Sequence, residues 1–162
     1  MRRLVAWLSN EPNSLKERFD LILAFSVVGF LWTNVAVYAI TYLGLLPYIA
    51  RPVSEPGIKL DLIGSIQFLI GAAIFEEILF RLIPLKLASK LGSGNAVAIF
   101  SAAVASSAVF GYMHGGWVHL SMQGIVGLMF CAVYLKYGGM QGKILLPTAA
   151  SSTTHFFVNL QF

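Results

Sequence analysis

Residues 91 to 135 contain no Asp, Glu, Lys or Arg, and neither do residues 21 to 50. A membrane-crossing helix needs about 20 predominantly apolar residues, so the first of these runs is long enough to cross twice and the second once. With 57% hydrophobic residues, 11% charged residues and a mean hydropathy of +0.77, the chain is too apolar for a soluble domain of 162 residues. The expected fold is all-α, a polytopic membrane helix bundle of about five transmembrane helices. Their expected limits are residues 21 to 46, 60 to 82, 95 to 113, 118 to 136 and 144 to 162. The turn-forming stretches "LPYIARPVSEPG", "LGSGN", "HGG" and "YGGMQGK" separate them. No repeat or low-complexity tract interrupts the chain, which reads as a single integral-membrane domain over residues 1–162 with its motif-bearing core at about 60–162.

A net charge of +4 and a pI near 9.4 invite a nucleic-acid reading, but the cations are spread over connecting segments instead of lining one face. Membrane orientation accounts for them better. Arg2, Arg3, Lys16 and Arg18 precede the first helix, Arg81, Lys86 and Lys90 follow the second, and Lys136 and Lys143 follow the fourth. The alternate loops hold Arg51 and Lys59. This bias predicts a multi-pass protein of the cell (inner) membrane with a cytoplasmic N-terminus. The apolar run in "MRRLVAWLSNEPN" is too short for a cleaved signal peptide, so the first helix reads as a retained anchor. Cys131 stands alone in its helix and reads as a small packing residue.

Within the apolar background, "IFEEILFR" at residues 74 to 81 sets Glu76 and Glu77 side by side. An ionisable group at membrane depth costs several kcal/mol unless it is paired or hydrated, and so by default marks a functional site. Glu77 and Arg81 are four residues apart, on one helix face, and are expected to pair. Glu76 points about 100° away from that pair and has Phe80 where Glu77 has its cation. It is the candidate general base. The competing account places both acids at the interface where the helix leaves the membrane.

The histidines weigh against that competing account. His114 closes "FGYMH" at the end of "SAAVASSAVFG", whose small residues let neighbouring backbones approach closely. His155 opens "HFFVN", which puts Asn159 one turn on and on the same helix face. A carboxylate, two imidazoles and a carboxamide on three helices point to a shared polar cavity. His119, beside Trp117, reads as an interfacial residue, and Gly124 and Gly127 read as helix-packing positions.

The three motifs EExxxR ("EEILFR"), FxxxH ("FGYMH") and HxxxN ("HFFVN"), in that order on successive apolar segments, resemble the motif set of the CAAX protease and bacteriocin-processing (Abi) family of intramembrane glutamic endopeptidases. The resemblance extends from Glu76 to Asn159. It implies a glutamate-dependent protease in which Glu76, assisted by His114, activates water for attack on a peptide carbonyl. His155 and Asn159 then stabilise the oxyanion, and Glu77 and Arg81 orient the site. The implied partner is a membrane-anchored peptide or protein substrate in the lipid bilayer, with no nucleic acid; an oligomer is compatible with the short chain. The implied chemistry uses no cofactor. The eukaryotic branch cleaves after a prenylated cysteine, whereas small prokaryotic relatives suit peptide maturation, bacteriocin self-immunity or removal of C-terminal sorting tails.

The helix limits given above create a difficulty, because His114 lies about 27 Å along its helix from Asn95 while Glu76 lies near the end of its own. Strong tilt, a second helix continuing past Pro84, or a re-entrant "HGGWVH" segment would bring them together. Other chemistries stay open. Glu and two His also form a zinc-type set, although no HExxH spacing occurs. "SSTTH" lacks the surroundings of a serine nucleophile. A proton-relay transporter and a noncatalytic immunity protein are the alternatives outside protease chemistry.

Overall fold

The computed structural model describes residues 14–45, 62–136 and 140–159, with the side chains of 62–66, 68–69, 140–143 and 155–159 outside the described set. The described residues form an all-α membrane bundle of five helical rods. The first is α1 (Leu15–Tyr42). The second is continuous through α2 (Leu62–Glu77), a π-helical segment π1 (Ile78–Leu82) and α3 (Ile83–Leu91). Then come α4 (Ala96–Met113), a rod made of the single turn Trp117–His119, a second π segment π2 (Leu120–Gly124) and α5 (Ile125–Lys136), and finally α6 (Met140–Asn159). Leu15–Tyr42, Ala96–Met113 and Trp117–Lys136 are each long and apolar enough to cross a membrane.

Two expected limits are corrected. The second helix does not end at residue 82 but runs on to Leu91, which places Arg81 inside the rod as a buried side chain, and Lys86 and Lys90 on its exposed surface, and none of the three on a connecting loop. Pro84 does not stop it because π1 lets a new α-helix begin at Ile83, so that Pro84 falls in the first turn of that segment, and the Phe80 carbonyl that it cannot serve is taken by another donor, the Ser106 hydroxyl. Likewise α1 begins at Leu15, where the Ser14 hydroxyl accepts the Glu17 N–H at 3.2 Å as an N-cap.

Small residues determine the packing. α1 buries a stripe of Ser26, Gly29, Thr33, Ala36 and Ile40 at alternating spacings of three and four. The part of α1 around Ser26 and Gly29 meets α6, where the Ser26 hydroxyl donates to the Ala150 carbonyl at 3.3 Å and Gly29 faces Thr154. Further along, the Trp32 indole N–H donates to the Ser121 carbonyl in π2 at 2.8 Å, and Ala36 and Ile40 pack on Met122. α4 buries Ala103, Ser106, Ser107, Phe110 and Gly111. A methyl at Gly111 would lie 2.7 Å from the backbone nitrogen of Gly124, so this crossing of α4 and π2 exists only with glycine. α5 buries Val126, Phe130, Cys131 and Val133, and α6 packs against α1, α2 and α5.

Candidate active site

The long second rod removes the geometric difficulty. From Glu76 to Leu91 the helix rises about 22 Å, and from Ala96 to His114 about 27 Å, so the two arms of the hairpin return to nearly the same level. There His114 Nε2 lies 3.4 Å from Glu76 Oε1. The other ring nitrogen, Nδ1, is 2.7 Å from the Phe110 carbonyl, one turn earlier. A carbonyl only accepts, so Nδ1 carries the hydrogen. Nε2 then faces a carboxylate oxygen, and a close contact there requires one proton between them, on either the imidazole or the acid.

The neighbouring acid lives in different surroundings. Glu77 and Arg81 pair at 3.2 Å with 0% and 1% of their side chains exposed, against 21% for Glu76 and 27% for His114. The Arg81 guanidinium lies 4.3 Å from the Phe110 ring centroid and 5.6 Å from that of Phe130, so it is held between two aromatic faces. A desolvated cation over such a ring gains about 2 kcal/mol. Gly127 makes room for it, since a methyl there would come within 3.3 Å of the guanidinium and 3.0 Å of Phe110. Phe110 thus serves both sites. Its ring lies 4.3 Å from that of His114 and packs edge-on against Phe80 at 5.2 Å, while its carbonyl orients the imidazole.

Beyond His114 the chain turns through Gly115 and Gly116. Gly116 has φ 87° and ψ −155°, open to glycine alone, and the His119 ring fills the space a side chain on Gly115 would need. Trp117 is exposed and stacks edge-on with Tyr112 at 5.2 Å. The structure therefore brings Glu76, Glu77, Arg81 and His114 together. His155 and Asn159 occupy the last turns of α6, and their side chains lie outside the described residues. Among the described residues no group of three or more His, Cys, Asp or Glu gathers as a metal cluster. Phe130, the second face over Arg81, was not singled out by its sequence position, because an aromatic residue in an apolar helix carries no mark of its partner.

No curated protein and no solved structure matches the chain. Residues 58–160, more than half of it, match a family profile described as type II CAAX prenyl endopeptidase Rce1-like. That region holds both arms of the hairpin that joins Glu76 to His114, as well as the last turns of α6. The chain belongs to the Rce1-like family of membrane endopeptidases.

Proposed function

We propose that the protein hydrolyses a peptide bond of a membrane-anchored protein or peptide by using Glu76 as general base. The observation that supports this most is the half-buried contact of Glu76 with His114 Nε2 at 3.4 Å, with the far ring nitrogen held by the Phe110 carbonyl. A water bound beside the pair loses a proton to Glu76 as its oxygen attacks the scissile carbonyl, with His114 holding the carboxylate by its close contact, and Glu76 then returns that proton to the leaving amine. Such a base contributes about 10² to 10⁴ in rate. His155 and Asn159 are the proposed oxyanion donors, each worth about 10² to 10³. Glu77 and Arg81 act by holding Phe110, and through it His114, in place. Membrane-anchored, C-terminally processed chains are the proposed substrates, in line with the family's description.

Glu76→Gln keeps the shape of the side chain and removes the base. In liposomes containing a prenylated CAAX peptide, and in membrane peptidomes of cells with either form, cleavage is expected to fall by at least about 10²-fold while the protein stays folded. Undiminished cleavage by Glu76→Gln would sink the reading. A zinc site would need His155 as a further ligand, and activity lost in chelator and restored by zinc would favour it. Proton flux in liposomes without a cleaved product would favour a relay.

A further inference from the structure

Pro84 has no N–H to offer the carbonyl four residues back, that of Phe80. In a bundle interior that carbonyl needs another donor, and the Ser106 hydroxyl, from α4, supplies it. Both residues are buried. The carbonyl lies in π1, immediately after Glu76 and Glu77, where the Ile83 N–H reaches back five residues to Ile78 in place of the usual four. A π segment accommodates one residue more than an α-helix over the same rise, and one residue is worth about 100° of rotation. The state of π1 therefore determines which side of α2 faces α4. Phe80 also connects this hydrogen bond to the site: its ring packs on Phe110, whose carbonyl holds His114.

We propose that Ser106 is a positioning residue: by taking up the Phe80 carbonyl that Pro84 cannot serve, its hydroxyl holds π1 in the register that turns Glu76 toward His114. This rests on Glu76 and His114 being the reacting pair. The alternative is that Ser106 merely satisfies a buried carbonyl and contributes stability alone.

A double substitution separates the two. In Ser106→Ala the carbonyl loses its donor. In Ser106→Ala with Pro84→Ala, the new N–H of residue 84 serves Phe80 from within the helix, which satisfies the carbonyl but lets π1 relax into α-helix. For turnover of a prenylated CAAX peptide in liposomes, Ser106→Ala is expected to lower kcat at least tenfold with KM within twofold, together with a lower melting temperature. The double variant is expected to regain the melting temperature and not kcat. A readout without turnover accompanies it: a short bifunctional thiol reagent should bridge Glu76→Cys to His114→Cys in the otherwise unchanged chain, and fail to do so when the Ser106 and Pro84 substitutions are added. Recovery of kcat together with stability, unchanged kcat in Ser106→Ala, or bridging that persists in the double variant would each overturn the proposal. If Ser106→Ala does not fold, the double variant decides alone. Full activity of Glu76→Gln would instead remove the underlying assignment of the base, whatever Ser106 does.

Discussion

Glu76 and Glu77 are adjacent in the chain and differ in almost every physical respect. Glu77 is sealed with Arg81 beneath Phe110 and Phe130, whereas Glu76 shares a half-open position with His114. Removing one partner of a buried ion pair leaves the other charge without compensation, at a cost of about 3–5 kcal/mol. Arg81→Met and Glu77→Gln are each expected to lower the thermal unfolding midpoint in detergent sharply. The double variant recovers much of that loss while turnover stays depressed, because Phe110 has lost the cation that it packs against. Equal losses in all three would show that the pair does not act as a unit. At this scale the sequence was informative where spacing is local. The pairing of Glu77 with Arg81 follows from four residues on one helix, but the meeting of Glu76 with His114 depends on how far the second helix runs, and an ordinary helical reading stops it near Pro84.

The elements carry information that a regular 3.6-residue pattern hides. Both π segments lie where carbonyls are taken by side chains of other rods: Phe80 by Ser106 and Ser121 by Trp32. Pro84 signals that some donor must come from outside, yet "SAAVASSAVFG" offers three serines with nothing in the sequence to single out Ser106. The same stretch did reveal that a close crossing was to be expected, and Gly111 against Gly124 is where it falls. Gly111→Ala would place a methyl against backbone, which cannot swing aside, and overpacking of this kind costs about 1–3 kcal/mol. A lower unfolding midpoint for Gly111→Ala, with Gly71→Ala near wild type because its surroundings are open, is the expected outcome. Equal behaviour of the two would mean that the crossing yields more easily than its contacts indicate.

For the whole molecule, the apolar segments together with the turn-forming stretches between them predict five rods, and the described residues form five. The charge asymmetry gives their direction as an expectation: Arg81, Lys86 and Lys90 all lie within the second rod, the two lysines exposed toward its Leu91 end, and the bias of the cations keeps its sign. The expected alternation of rods across the membrane would put Ser14 and Ser93 on one side of it; both are exposed, while Cys131 is buried. Impermeant thiol reagents applied to right-side-out cells should therefore spare both Ser14→Cys and Ser93→Cys, and should reach both once the membrane is opened. Labelling of one without the other would contradict the alternating arrangement. The side chains of His155 and Asn159 lie outside the described residues, so the last part of the proposed site was readable only as motif.

The seam between α1 and the rest has a consequence for how the molecule is put together. α1 carries none of the motifs and precedes the matched region, yet it grips α6 through Ser26 and Gly29 and reaches π2 through Trp32. Such a helix need not be covalently joined to do its work. Co-expressed as separate polypeptides, residues 1–57 and 58–162 should find each other in the bilayer, co-purify and regain turnover, while the larger fragment by itself should not.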